Sequence, residues 1–289
     1  MKTTFSPIIA GTMTWGTWGK NLDKKQMATL IHSCLENGID TFDHADIYGG
    51  HTTEESFGHG LVESGVARAD MKLISKCGIK YPSENRPMTI KHYDYTPEYI
   101  IWSVDTSLKN LQTDYLDLLL LHRPSPLMNG EEIAEVVTQL KRDGKILDFG
   151  LSNFTPTQTD LIQKHTLVSY NQIQFSLTHH VAMTDGCLDD MQLRNIRPMA
   201  WNPLGSIFRE DIPQTQRIKT LLEKLESKYG VSGDVILIAW ILKHPSQILP
   251  VCGTTNPDRI KEIMKATTLE MELEDWFALW VESRGERVP

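Results

Sequence analysis

The stretch Gly38-Ile39-Asp40-Thr41-Phe42-Asp43-His44-Ala45-Asp46-Ile47-Tyr48-Gly49 decides the fold. The run from Gly38 to Phe42 is a short apolar lead-in and reads as a buried strand ending at Asp43. Directly beyond it stand two acids, a histidine and a phenol, groups that are costly at the mouth of a buried strand unless something there uses them. Segments with helical spacing flank it, Lys24–Glu36 before and Glu54–Glu63 after. A buried strand between two such helices is one unit of a parallel α/β fold.

The same alternation runs the length of the chain. Strands are expected over Pro7–Gly11, Ile39–Asp43, Met71–Lys76, Tyr115–Leu121, Ile146–Ser152, Val168–Gln172, Ile196–Trp201 and Gln247–Val251. Between and after them, helices are expected over Lys24–Glu36, Glu54–Glu63, Thr96–Asn110, Glu131–Arg142, Thr155–Lys164, Gly186–Leu193, Gln214–Lys228 and Pro257–Lys265, with an additional one over Val235–Leu242. Thr96-Pro97-Glu98 and Asn256-Pro257-Asp258 each set a capping side chain before a proline at the first helical position. No composition break or Ser/Gly linker divides the sequence, so residues 1–289 are expected to form a single α/β domain. Eight βα units in this length favour a closed (β/α)8 TIM barrel over an open sheet. No G-x-G-x-x-G is present, and the glycines of GTMTWGTWG, Gly11 to Gly19, have the wrong spacing for a Rossmann turn. Two stretches fall outside the rhythm: the polar connection Gly78–Tyr95, and the tail Leu269–Pro289, whose Trp276, Phe277 and Trp280 are expected on an extra C-terminal helix against the barrel wall.

Composition narrows the function. Apolar residues make up 40% of the chain and charged ones 23%, the balance of a globular protein with a large core. A net charge of −8 argues against a general nucleic-acid surface or an anionic membrane surface, both of which need clustered Lys and Arg. The first residues lack the apolar core of a signal peptide, and no apolar run approaches the roughly 20 residues of a membrane span, so a cytoplasmic location is expected. Cys34, Cys77, Cys187 and Cys252 form no C-x-x-C pair and are expected to be reduced, Cys77 as a small core residue beside Lys76. No interface signature marks an oligomeric state.

A (β/α)8 barrel builds its active site at the C-terminal ends of its strands. Those ends deliver Gly11-Thr12-Met13, Asp43 and Tyr48, Lys76, His122, Ser152-Asn153, Gln172, Trp201-Asn202 and Gly253-Thr254-Thr255. Singly, each has an ordinary explanation: Lys76 with Asp43 as a structural ion pair, His122 as a core histidine, Tyr48 as a strand cap. Together, four titratable groups must share one mouth. For a carbonyl substrate each has work to do. A tyrosine is a poor acid at neutral pH, with a reference pKa of about 10. Lys76 would pull the Tyr48 value down, Asp43 would hold the lysine charged, and His122 would polarise the carbonyl oxygen.

These motifs resemble the aldo-keto reductases. FDHADIYG resembles that family's Asp-to-Tyr signature, ISKCG its strand-end lysine, LLLLHRP its histidine and FGLSNF its Ser-Asn pair, and the likeness runs nearly end to end. The resemblance implies a catalytic tetrad of Asp43, Tyr48, Lys76 and His122, with Tyr48 as general acid in NAD(P)H-dependent reduction of an aldehyde or ketone. It implies an extended nicotinamide dinucleotide across the barrel mouth, beside Gly11, Thr12, Met13 and Asp43. Ser152, Asn153 and Gln172 would hold its carboxamide and Trp201 would stack on the ring, while Asn202, Pro203, Leu204, Gly205 and Ser206 would follow the pyrophosphate. Gly253, Thr254, Thr255 and Arg259 would take the adenosine 2′-phosphate, so NADPH is favoured over NADH, although many members have lysine where Gly253 stands. Trp15 is expected to wall the substrate pocket with Tyr48 and His122; Trp18, which also follows the first strand, could do the same, and Tyr81 or Tyr93 could join them. An apolar carbonyl compound is the expected small-molecule partner, since no motif places an arginine to hold a carboxylate.

Two other readings compete. Asp43, His44, Asp46, His51 and His122 could bind a metal in a barrel hydrolase, but no H-x-H is present and no metal is expected. A regulatory protein could keep the reductase site and use cofactor occupancy as a signal, as the family's potassium-channel beta subunits do. On the reductase reading, His44 and Asp46 are turn residues that set the distance from Asp43 to Tyr48.

Overall fold

The computed structural model describes residues 4–288. In chain order its elements are β1 (Ile9–Gly11), α1 (Lys24–Glu36), β2 (Thr41–Asp43), α2 (Tyr48–His51), α3 (Thr53–Ser64), β3 (Lys72–Cys77), β4 (Ile79–Lys80), β5 (His92–Tyr93), α4 (Pro97–Leu111), β6 (Leu116–Leu121) and α5 (Gly130–Arg142). There follow β7 (Ile146–Ser152), α6 (Pro156–Gln163), β8 (Tyr170–Gln174), α7 (Cys187–Leu193), β9 (Arg197–Trp201), α8 (Pro213–Tyr229), α9 (Gly233–Leu242), β10 (Leu249–Cys252), α10 (Pro257–Ile263) and α11 (Leu273–Arg284). Eight strands close into a parallel barrel in the order β1-β10-β9-β8-β7-β6-β3-β2, so the (β/α)8 expectation holds.

Side-chain alternation along the strands sorts the residues into two cores. Ile9, Ile74, Leu118, Leu120, Tyr170, Met199, Leu249 and Val251 meet inside the barrel with Phe5. Ile8, Ala10, Phe42, Leu73, Cys77, Leu119, Leu121, Phe149, Leu151 and Ala200 point outward into the larger core beneath the helices. Continuing the inward series by two residues from Ile74, Leu120, Tyr170 and Met199 reaches Lys76, His122, Gln172 and Trp201. The period of two that fills the barrel with Leu and Ile therefore aims its polar strand ends at one mouth.

The connection from Gly78 to Tyr95 contains a small antiparallel ladder, in which β4 pairs with β5 through Ile79 opposite Tyr93 and Lys80 opposite His92. Gly78 has φ +104, and a Cβ there would stand 1.9 Å from the Tyr95 ring. Only glycine lets the chain turn there while Tyr95 packs against it. The aromatic tail forms α11, as expected. Trp276 stacks on Trp240 with centroids 5.0 Å apart, and each indole N–H donates to the other residue's carbonyl. No helix among the described residues is long and apolar enough to cross a membrane.

Candidate active site

Lys76 is the hub of the mouth. It is fully buried, and its ammonium donates to Asp43 Oδ2 at 2.7 Å, to the His44 carbonyl at 2.7 Å and to Tyr48 Oη at 3.2 Å. These three bonds satisfy all the donors of the ammonium. Burial opposes the lysine charge, but Asp43 and then Tyr48 outweigh it and hold the pKa above the ordinary lysine value. Asp43 is fixed from its other oxygen, which accepts from Gln172 Nε2 at 2.9 Å. Lys76 also lies 5.1 Å from the centre of the Tyr48 ring, and that ring meets His122 edge-on at 6.2 Å.

The electrostatics differ from the sequence expectation at Tyr48. Burial raises the phenol pKa more than the Lys76 ammonium lowers it, and the net shift is upward from 10.0. Tyr48 is therefore held as the neutral phenol at physiological pH, the form that can give up a proton. His122 is driven well below its ordinary value by burial, helped by Lys76, Arg123 and Lys91, and stands as a neutral imidazole.

His44 and Asp46 are more than turn residues. Thr12 Oγ1 donates to the Asp43 carbonyl at 2.9 Å, which leaves the His44 Nδ1–H as donor in the 2.9 Å bond to Thr12 Oγ1. Burial and then Lys76 push the His44 pKa down to about 3. Asp46 is buried, continues the pairing to β3 through its N–H to the Lys76 carbonyl, and accepts from Ser103 Oγ at 3.0 Å. Burial and the neighbouring Glu54 raise its pKa to about 8, against weaker opposition from Ser103 and Arg86. Glu54, also raised by burial, accepts from Ser75 at 2.6 Å and Ser107 at 3.1 Å, tying β3 to α4. The metal-site alternative does not fit this arrangement. His44 bonds Thr12, the His51 ring bonds the carbonyls of Asp46 and Tyr81, and no three potential ligands converge among the described residues. The four cysteines are free, and burial pushes the Cys77 thiol well above its usual value, so Lys76 does not activate it.

A cleft of about 900 Å³ runs from these groups across the mouth. Gly11, Met13, Asp43, Tyr48, His122, Ser152, Asn153, Gln172, Trp201, Asn202, Pro203, Leu204, Gly205, Gly253, Thr254 and Arg259 all line it. The expected carboxamide site is a bonded chain. Ser152 Oγ donates to the Gln172 carbonyl at 3.0 Å, Asn153 Nδ2 donates to Ser152 Oγ at 2.8 Å, and Trp201 Nε1 donates to Asn153 Oδ1 at 2.8 Å. Asn153 holds φ +64 and Asn202 φ +55, left-handed values that asparagine tolerates better than most residues.

The structure places the other expected residues elsewhere. Trp15 does not wall the pocket: it is fully buried between Phe42 and Phe57, and Trp18 lines the cleft instead, 6.2 Å from Tyr48 and 5.4 Å from Tyr81. Thr12 is buried beneath the mouth, serving Asp43 and His44, and Ser206 and Thr255 also lie outside the lining. The sequence reading missed Arg209, whose Nη2 donates to Asn202 Oδ1 at 2.9 Å and to the Gly205 carbonyl at 2.6 Å. It also missed Glu226 and Asp234, which line the cleft with Arg259, Asp234 lying 3.6 Å from the Arg259 guanidinium. A basic residue closely following the Trp201–Ser206 loop was the available signal for Arg209.

The eight-stranded parallel barrel thus gathers a buried Asp-Lys-Tyr cluster and a neutral histidine at the wall of one cleft. The profile of the Aldo/keto reductase family matches residues 7–279, and the chain belongs to that family of NAD(P)H-dependent oxidoreductases. It is 38% identical to the uncharacterized oxidoreductase YcsN of Bacillus subtilis, over 99% of this chain and 96% of that protein. It is 37% identical to a 6-dehydroglucose reductase of Agrobacterium fabrum, over 96% of this chain and 95% of that protein. The fold is similar to that of a glycerol dehydrogenase, AKR11B4 from Gluconobacter oxydans, with a TM-score of 0.86 at 22% identity, covering 100% of this chain and 95% of that one.

Proposed function

We propose that the protein reduces an aldehyde or ketone with NADPH, Tyr48 acting as the general acid. The observation that carries this reading is the Lys76 ammonium held between Asp43 Oδ2 at 2.7 Å and Tyr48 Oη at 3.2 Å at the mouth of the cleft. The residues present fit a nicotinamide dinucleotide. The Ser152, Asn153 and Gln172 chain offers amide and hydroxyl groups to a carboxamide, Trp201 offers an aromatic face, and Arg209 and Arg259 offer cations farther along. When bound, the dinucleotide supplies the hydride. Tyr48 gives its proton to the carbonyl oxygen as negative charge grows there, and the Lys76 charge stabilises the phenolate left behind. His122, kept neutral, donates a hydrogen bond to the same oxygen without competing for its proton. Gln172 links cofactor binding to catalysis, since its amide also holds Asp43.

The choice of NADPH over NADH rests on Arg259, the cation at the end of the cleft where Glu226 and Asp234 also lie. Asp234 competes for that guanidinium, so the preference is modest. Arg259→Ala is expected to raise the KM for NADPH about tenfold, the loss of one charge-assisted contact, and to change that for NADH less than about twofold. Parallel rises for both cofactors would place the 2′-phosphate elsewhere. The function itself is tested with a panel of aldehydes and ketones, including a 6-aldehydo sugar because of the A. fabrum relative's name, with each cofactor. Oxidation of neither cofactor by any member, with binding of NADPH intact, would favour a cofactor-sensing protein.

A further inference from the structure

Two cations stand at the substrate end of the cleft with no acid to balance them. Arg123 follows His122 at the end of β6, and Lys91 lies just ahead of β5; both line the cleft with Trp18, Ile47, Tyr48 and His122. Among the described residues neither side chain has an ion pair or donates a hydrogen bond, although the chain carries a net charge of −8. The acids of the cleft are engaged elsewhere: Asp43 holds Lys76, Glu226 accepts from the Gly233 N–H, and Asp234 lies against Arg259.

An exposed lysine is ordinarily just solvated, and Lys91 alone would carry no weight. Arg123 is different. It is half-buried, its guanidinium lies 5.4 Å from the Trp201 ring centre, and Tyr95 clamps its backbone at both ends. The Arg123 N–H donates to Tyr95 Oη at 3.2 Å, and the Tyr95 hydroxyl donates to the Arg123 carbonyl at 2.5 Å. Tyr95 is in turn seated where Gly78 leaves room. Tyr95 thus fixes the Arg123 backbone next to His122, and the half-buried guanidinium lies over the Trp201 ring with no carboxylate partner among the described residues. Both cations push the His122 imidazole down, so their fields reach the atom that would hold the carbonyl oxygen.

We propose that the carbonyl substrate bears an anionic group, a carboxylate or a phosphate, which Arg123 binds through its planar fork while Lys91 closes on it from the loop. This rests on the reductase reading above and replaces the apolar carbonyl compound that the sequence favours. The apolar walls from Trp18, Ile47 and Ile79 take the body of the molecule.

The test compares matched pairs on the holoenzyme: 4-formylbenzoate with its methyl ester, and glyceraldehyde 3-phosphate with glyceraldehyde. In at least one pair the anion is expected to have a kcat/KM about tenfold or more above its neutral partner, shrinking toward parity in 0.5 M NaCl. Arg123→Gln is expected to bring that ratio near one. An advantage in one pair alone identifies the anion; no advantage in either, or a ratio that survives Arg123→Gln, overturns the proposal. A second measurement does not need turnover: titration of the protein saturated with oxidised cofactor by 4-(hydroxymethyl)benzoate and by its methyl ester. The same titration is run with glycerol 3-phosphate against glycerol; tighter binding of the anion in either pair, lost in Arg123→Gln, supports the anion site even if no aldehyde is reduced, whereas equal binding in both pairs overturns it. The reductase reading fails separately, when no substrate in any pair oxidises either cofactor.

Discussion

Tyr48→Phe is expected to lower kcat for carbonyl reduction by about 10²- to 10⁴-fold, the usual contribution of a positioned general acid, while the dissociation constant for NADPH stays within about twofold. The change removes one hydroxyl and little else. Lys76 retains Asp43 and the His44 carbonyl as partners, so its charge stays balanced, and the phenyl ring keeps its packing against Trp18 and its edge contact with His122. The effect should therefore fall on the chemical step and not on folding. The pH profile is a second readout. Because burial raises the Tyr48 pKa, the acid form is complete through neutral pH, and activity should decline only as pH rises through that elevated value. In Lys76→Met the phenolate loses its nearest cation, so the alkaline limb should move still higher while kcat falls. A Tyr48→Phe enzyme that kept wild-type kcat on its best substrate would remove Tyr48 as the acid.

The barrel and its mouth were legible because both follow a period of two. Once the Leu and Ile positions of a strand are known to face inward, the polar residue two steps on must face the same way, and Lys76 and His122 follow. What escaped lies where backbone leaves that period. Trp15 and Trp18 sit in one irregular turn after β1, and spacing says nothing about which enters the core; Phe42 and Phe57 together make the socket that takes Trp15. His44 and Asp46 look like exposed turn polars because they follow a strand end. They are buried because the loop goes on pairing with β3, through His44 N–H to the Ile74 carbonyl and Asp46 N–H to the Lys76 carbonyl. Arg123 was in view inside LLLLHRP, but only the structure shows that it lines the cleft while the acids there, Asp43, Glu226 and Asp234, are engaged with other groups.

The two acids of the opening stretch should separate under the same substitution. Asp43→Asn leaves the fully buried Lys76 without its carboxylate, the case in which breaking a buried pair costs about 3–5 kcal/mol. Denaturant unfolding should show that loss, and kcat should fall with it, because an unpaired buried ammonium tends to shed its proton and can then no longer stabilise the Tyr48 phenolate. Lys76→Met in the Asp43→Asn background should recover much of the stability but none of the activity, which separates the charge imbalance from the catalytic loss. Asp46→Asn should be far milder. With a pKa raised to about 8, Asp46 is largely protonated at neutral pH, and an amide can still accept from Ser103. The sign of its pH effect follows from that shift. A carboxyl whose folded pKa lies above its unfolded value gives its full stability below the unfolded value and loses it as pH rises through the folded one, here the window from about 4 to about 8. Asn does not titrate, so relative to wild type Asp46→Asn should gain in melting temperature as pH climbs from 6 to 9. Equal losses of kcat in the two variants would mean that Asp46 shares the work assigned to Asp43, and the division between a lysine-holding acid and a buried neutral one would have to be given up.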